Sequence, residues 1–465
     1  MTEQPAGQST PPPPSDGDEV YGLSPELVFA VEEALETGRT EDAVEYVGDL
    51  HEADLADLLE SLPRDDRARL VEALGVAFDP EVLPHLDAGI REEVIEQLGP
   101  ERLARLLSAL QSDDAVEVFE DLEEEFQHRI LTALPRAYRR VLEESLTYPE
   151  DSAGRLMQRE VVVVPSAWTI GETIDYMRAA EDLPDDFYDL YIVNPKHHPI
   201  GFIPLSRALR TRRPVRLTEI MNTDMKTVPL DMDQEEVAYL FRQYGLVSAP
   251  VVDDAGRLVG VITVDDIVHV IGEEVEEDIM KLAGVQEGDL YSAMLDTTRS
   301  RFPWLVVNLA TAVAASLVIG LFEGTIQQVV ALAVLMPIVA SMGGNAGTQT
   351  LTVAVRAIAM KDLTEATARR FVGKEILVGA VNGILFAALT GIVAWLWFGQ
   401  PAIGLVIAAA MVVNMIVAGL SGTLIPLGLE RLGVDPAIAS SVFLTTVTDI
   451  VGFFAFLGLA AAVLL

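Results

Sequence analysis

From Phe302 to its last residue the chain carries seven acidic and six basic side chains, whereas the 301 residues before it carry 64 and 26. So apolar a stretch, cut into runs of about 20 residues, has the length and character of helices that cross a bilayer. Five spans are expected, at Pro303–Phe322, Ile326–Ile358, Ile376–Phe398, Ile403–Leu427 and Ala437–Leu464. With five spans, Arg299, Arg301, Arg356, Lys361, Arg369, Arg370, Lys374 and Arg431 all fall on one side, while the opposite turns "EGT" and "GQP" carry no Lys or Arg. The positive-inside bias then places the N-terminal domains in the cytoplasm and the C-terminus outside, as a multi-pass protein of the cell membrane.

The first 301 residues have a net charge of about −38, which follows from the same count. Such a surface repels phosphate, so nucleic acid is not an expected partner, and it attracts divalent cations. Lysine is scarce beside arginine and acid is spread over the whole soluble part, a composition suited to high salt, in which many carboxylates serve only as solvated surface. The chain has no cysteine, so disulfides, thiolate nucleophiles and soft-metal sites are excluded. Residues 1–20, rich in Pro, lack the basic and apolar regions of a signal peptide and read as a disordered cytoplasmic tail.

Residues 21–150 follow a helical pattern in short pieces. "EADLADLLESLPRDDRARLVEALG" and "GPERLARLLSALQSDDAVEVFEDL" share an acidic start, paired leucines and a breaker, which fits either stacked helical repeats or a compact helical bundle. A second repeat follows. "MQREVVVVPSAWTIGETIDYM" from Met157 matches "MNTDMKTVPLDMDQEEVAYLF" from Met221 at an offset of 64, and "LYIVNPKHHPIGFIPLSRAL" matches "APVVDDAGRLVGVITVDDIV" at an offset of 59. Two α/β units, 151–215 and 216–272, are therefore expected to pack as a pseudo-symmetric pair. They resemble a pair of CBS domains, a cytosolic ligand-sensing module. The resemblance implies that Thr263 and Asp266 of the second unit are placed for an adenine nucleotide such as ATP; the first unit lacks both polar residues. The alternative is that Thr263 caps the following helix.

Residues 273–301 read as an acidic connecting helix. Asp265, Asp266, Glu273, Glu274, Glu276 and Glu277 cluster about its start, and the pairs Glu273/Glu277 and Glu274/Asp278 set like charges four residues apart. A hard divalent cation, which takes oxygen ligands, would relieve that repulsion.

Within the membrane part, "VLMPIVASMGGNAGTQTLTVAV" places Pro337 and a Gly-Gly-Asn-Ala-Gly sequence mid-span, an expected break in the second helix. Asn308, Asn382 and Asn414 are candidates for interhelical hydrogen bonds. Asp449 stands alone in an apolar segment with no basic residue in any apolar core to neutralise it, so a permeating cation is the simplest partner. One carboxylate does not balance a dication; a two-fold dimer with Asp449 near its axis supplies two. An intramembrane aspartyl protease needs two carboxylates sharing a proton, and the apolar spans offer one. A CBS-regulated anion transporter would need positive charge along its path.

Taken together, the helical N domain, the "YPEDSAGRLM" entry to the CBS pair, the acidic connecting helix and five spans carrying "MPIVASMGGNAGTQT" and "TTVTDIVGF" resemble the MgtE family of magnesium channels. The resemblance implies a multidomain α-helical membrane protein and a homodimer, not an enzyme, that takes up Mg2+ and closes when intracellular Mg2+ fills its cytosolic sites. It implies an ion pathway at Asp449, Asn345, Gly347, Gln349 and Thr445. It implies regulatory ligands at Asp265, Asp266, Glu273, Glu274, Glu276, Glu277 and Asp435. Transport of Mn2+, Co2+ or an anion under CBS control is the alternative.

Overall fold

The computed structural model describes residues 22–120, 122–180, 183–184, 186–285, 294–363 and 365–465. The expected N-terminal tail lies outside them, as do residues 286–293 of the connecting segment. The chain divides into two compact units, Met1–Asp231 with Pro250–Val261, and Met232–Ala249 with Ile262–Leu465.

In the first unit, short helices alternate with tight breaks: α1 (Pro25–Glu36), α2 (Thr40–Val47), α3 (Glu52–Ser61), α4 (Arg64–Leu74), α5 (Ala88–Leu98), α6 (Pro100–Leu107), α7 (Ser112–Glu120), α8 (Glu124–Ala133) and α9 (Arg136–Ser145). Their leucine stripes converge on one core, with Leu35, Leu58, Leu59, Leu70, Leu103 and Phe119 almost fully buried. Each such side chain contributes roughly 1.5–3 kcal/mol through its removal from water. A buried arginine is handed on from one helical step to the next. Arg67 of α4 meets Glu93 of α5 at 2.5 Å, and 24 residues later Arg91 of α5 meets Glu117 of α7 at 2.6 Å. The repeated pairing favours stacked repeats over an irregular bundle.

After the short α10 (Ala153–Leu156), β1 (Val163–Pro165) and β2 (Asp189–Val193) pair in parallel across α11 (Ile170–Ala179), and β3 (Pro199–Pro204) adds antiparallel to β2. Helices α12 (Leu205–Arg210) and α13 (Leu217–Ile220) follow. The second sheet repeats this order with β4 (Val228–Pro229), β5 (Ser248–Val252) and β6 (Leu258–Thr263). Isolated bridges join the entry segment of each α/β half to the sheet of the other. Gln158 bonds Val261 of β6 in both directions at 2.9 Å, and Phe202 of β3 bonds Asn222 reciprocally at 3.0 and 2.8 Å. Both crossings pass over a glycine. A Cβ on Gly201 would lie 2.7 Å from the Asn222 carbonyl oxygen, and one on Gly260 would lie 2.7 Å from that of Gln158. The glycines of the sequence repeat are therefore where the two halves touch.

The second unit contains α14 (Gln234–Tyr244), α15 (Val264–Ala283) and the membrane helices. The connecting segment does not start a helix of its own at Glu273. It continues α15 from the Thr263 cap, because Gly272 has helical neighbours and no competing cap, and the helix ends only at Gly284 in a left-handed conformation (φ 72°). Then come α16 (Met294–Gly320), α17 (Glu323–Gln328), α18 (Ala331–Ala359), α19 (Glu365–Phe398), α20 (Pro401–Arg431) and α21 (Pro436–Leu464). Five of these, α16 and α18 to α21, are long and apolar enough to cross a membrane among the described residues.

The expected break at Gly343–Gly347 is absent, since α18 runs through Pro337 and the glycines without interruption. The second span is divided earlier, where Val329 (φ −129°, ψ 79°) separates α17 from α18. The glycines serve close packing instead of a break. A Cβ on Gly343 would collide with the Asn414 amide, and one on Gly347 would lie 2.8 Å from Leu444. Helix α20 sits innermost, with Asn414 and Thr423 fully buried, and α19 approaches it through Gly379 and Gly391, which face Met415 and Gly404 of α20.

Candidate ion pathway and cation-sensing site

Two clusters of polar groups occur in the second unit, and α21 runs through both. The first is in the apolar region. Asn414 of α20 donates to the Val339 carbonyl of α18 at 2.8 Å, and its amide fills the space left by Gly343 of α18 and Gly452 of α21. This three-helix junction fixes α18 against α21. One turn along, Thr445 Cγ2 comes within 4.0 Å of where a Gly344 Cβ would sit, so α18 borders the turn of α21 that precedes Asp449. Asp449 itself is half-buried and has no hydrogen-bonding or ion-pair partner among the described residues.

On α18, Ser341, Asn345, Thr348, Gln349 and Thr352 recur at helical spacing, and all are exposed on the five-helix bundle. Asn345 reaches back to Ser341 at 3.4 Å and the Thr352 hydroxyl donates to the Thr348 carbonyl at 3.0 Å, so the stripe satisfies part of its own polarity and leaves the rest to its surroundings. By contrast α19 exposes Leu377, Leu385, Leu389 and Leu396. Leucines suit lipid, whereas an amide and hydroxyl stripe in a spanning helix needs water or another protein surface. Gly347 differs from its neighbours: it is buried under Leu444 and Gly422 and contributes close packing to this region.

The sequence reading missed a second carboxylate in the spans. Glu375, one residue before the expected third span, lies within the apolar part of α19, with only 11% of its side chain exposed. It accepts from Thr350 of α18 at 3.1 Å and lies 3.6 Å from Lys374. The neighbouring lysine hid it by making the segment look like a cytoplasmic loop.

The second cluster lies at the N-terminal end of α21. Asp435 caps that helix, accepting from the Ala437 amide at 2.7 Å, and its other oxygen meets Lys281 Nζ of α15 at 2.8 Å. Lys281 also pairs with Glu277. Burial alone would lower the Lys281 pKa, but the Asp435 and Glu277 carboxylates outweigh it and hold the ammonium above its ordinary value. On the facing side, Asp233 caps α14 and Gln234 donates to Glu274 at 2.9 Å. Burial, reinforced by Glu277, Glu235 and Asp233, raises the Glu274 pKa to about 7. Glu235 and Asp278 are raised as well, first by burial and then by neighbouring carboxylates that include Asp435 in both cases. Lys361, in the loop after α18, pairs with Glu236 at 2.6 Å and lies 5.4 Å from the centre of the Tyr239 ring. A cleft of about 590 Å³ between these elements is lined by Asp233, Glu235, Glu236, Lys361, Glu430 and Asp435.

Of the expected regulatory residues, Glu274, Glu277 and Asp435 come together here, joined by Asp233, Glu235 and Asp278, which the sequence reading did not name as ligands. Glu273 and Glu276 lie on the exposed face of α15. Asp265 and Asp266 stay at its far end, about 18 Å from Glu277 at the usual helical rise. There Thr263 donates its hydroxyl to Asp266 at 2.7 Å in a capping box, so both side chains expected at a nucleotide are engaged with one another. Burial, the largest cause, raises the Asp266 pKa to about 6.

Among the described residues no three acidic or imidazole side chains converge as a closed metal shell would require. The donors are nonetheless hard oxygens crowded by like charge, the chemistry that suits a partly hydrated divalent cation.

Comparison with known proteins fits this division. A family model described as a divalent cation transporter, MgtE, matches residues 336–459; the MgtE intracellular N domain matches 50–151 and the CBS domain 217–273. The chain is 34% identical to the magnesium transporter MgtE of Thermus thermophilus over 449 residues, covering 95% of this chain and 99% of that one. It is 29% identical to the magnesium transporter MgtE of Bacillus subtilis over 438 residues, covering 94% and 97%. Among solved structures, the cytosolic domain of the Mg2+ channel MgtE in complex with ATP is 34% identical, covering 52% of this chain and 99% of that one, with a TM-score of 0.49.

Proposed function

Because the chain belongs to the MgtE family of divalent cation transporters, we propose that it is a homodimeric magnesium channel of the cell membrane, closed from the cytoplasmic side by Mg2+ itself. The observation that carries this reading is Asp449, without a partner among the described residues, on the part of α21 that borders α18 and its exposed polar stripe. In a dimer the stripe and two Asp449 carboxylates would face a shared aqueous path. Asn345, Gln349 and Thr445 would supply outer-shell hydrogen bonds to a hydrated ion, Gly347 would let the helices approach, and the paired carboxylates would balance its charge.

Regulation follows from the second cluster. A cation held between α15, the N-terminus of α14 and Asp435 would draw those elements together. Asp435 and Asp449 are 14 residues apart on one helix, about 21 Å along its axis, so a shift at one end is transmitted as a rigid body to the other. The better-supported sensor ligands are Asp233, Glu235, Glu274, Glu277, Asp278 and Asp435; Asp265, Asp266, Glu273 and Glu276 would need to act elsewhere on α15. ATP at the CBS pair would have to open the Thr263–Asp266 box, or bind beside it.

The test is flux of Mg2+ into vesicles bearing the purified protein, with Mn2+ and Co2+ as competing arms. Wild type is expected to conduct at low cytoplasmic Mg2+ and to close as it rises. Asp449→Ala is expected to reduce flux to background while eluting as the wild type does. Normal flux through that variant would sink the pore assignment, and flux indifferent to cytoplasmic Mg2+ would sink the sensor.

A further inference from the structure

At the junction of α15 and α21 a cation is already present, and it belongs to the protein. Lys281 Nζ bridges Glu277 and Asp435 in the position a metal ion would take to join those carboxylates. We propose that Lys281 is a tethered competitor at the sensor, and that it sets the sensor's preference for doubly over singly charged ions. The inference rests on the sensor reading given above, and names which residue tunes it.

Two acidic groups alone would bind any abundant monovalent cation to some extent. With Lys281 between them they are already half neutralised by a compact ammonium on a flexible stem. A tethered group competes at an effective concentration in the millimolar range or above, and its attachment removes most of the entropic cost of binding. A potassium or sodium ion brings the same single charge without that advantage, so it does not displace the lysine. A divalent ion brings twice the charge and a strong demand for oxygen ligands, so it does. The geometry gives the displaced side chain somewhere to go. Lys281 borders a cavity of about 640 Å³ lined also by Glu277, Met280, Ser300, Pro303 and Trp304, and its own side chain is 26% exposed. In a chain with formal net charge −39, a sensor made only of acids would respond to bulk salt. Lys281 makes this one respond to ion valence.

The experiment is flux through the full-length protein in vesicles, with Mg2+ titrated on the cytoplasmic face at low and at molar KCl, for wild type, Lys281→Arg, Lys281→Met and Lys281→Gln. Wild type and Lys281→Arg are expected to close at an Mg2+ midpoint that changes little with KCl. Lys281→Met and Lys281→Gln are expected to close at about tenfold lower Mg2+ in low KCl, with a midpoint that climbs as KCl rises. Calorimetric Mg2+ binding to the same full-length proteins reads the same shift without transport. Neutral variants whose midpoint and KCl response equal the wild type's, or whose midpoint is raised, would overturn the role of Lys281 while leaving the sensor intact. A wild type that does not close would overturn both.

Discussion

Asn414 shows how much a single side chain decides in the membrane region. It is fully buried, donates to Val339, and occupies space that exists only because Gly343 and Gly452 have no Cβ. Gly343→Ala is therefore expected to destabilise the domain by about 1–3 kcal/mol through overpacking, lowering the unfolding temperature in detergent. An unchanged temperature would mean that the glycines are not contact points. From sequence Asn414 reads as a hydrogen bond and Gly343 as part of a break, and nothing singles out Gly452. Nothing in the spacing of residues 343, 414 and 452 announces that they share one volume. Asp449, by contrast, was legible at once, because the cost of an unpaired carboxylate in an apolar helix is a property of the residue and its immediate neighbours.

At the scale of elements, α18 is set apart by carrying polar groups on an exposed face. The chain has no cysteine, so Asn345→Cys gives a single thiol. It is expected to react with a membrane-impermeant reagent, and less so when Mg2+ is present. A thiol reached only by lipid-soluble reagents would place this face in the bilayer. The pairing of α14 with α15 carries a pH dependence. Glu274 has its pKa raised from 4.5 to about 7, facing Gln234, Glu235 and Asp233 of α14 and with Glu277 on its own helix. Its protonated form favours the packed helices, so their stability is fullest below about pH 4.5 and is lost as pH rises through 7. In chelator, hydrogen exchange of α15, corrected for its base-catalysed intrinsic rate, should therefore quicken between about pH 4.5 and 7, and Mg2+ should reverse the change at the upper end. A flat profile would show that Glu274 is not packed against α14. The repeats that place these helices were legible at this scale. The offsets of 64 and 59 read from the sequence bring β1 onto β4 and β3 onto β6, because a repeated hydrophobic pattern specifies a repeated local fold.

For the whole molecule, charge sets the conditions of stability. A formal net charge of −39 repels itself in dilute buffer. The unfolding temperature of the purified protein is expected to rise from 0.1 M to about 2 M KCl, as the screening length shortens from about 10 Å to below 3 Å; a fall would count against charge repulsion as the limiting term. The sequence by itself determined the five spans, the paired α/β units and the isolation of Asp449, because each follows from local periodicity, hydropathy or the cost of one buried charge. Only the tertiary structure decided that α18 is continuous through its glycines, that Glu375 is buried against Thr350, and that Lys281 stands between Glu277 and Asp435. The packing against the α18 glycines, the Thr350–Glu375 contact and the Lys281–Asp435 pair each depend on which surfaces meet across long intervals of chain, and none of these residues carries a local sign of its distant partner; only the Glu277–Lys281 pair, four residues apart on one helix, is local.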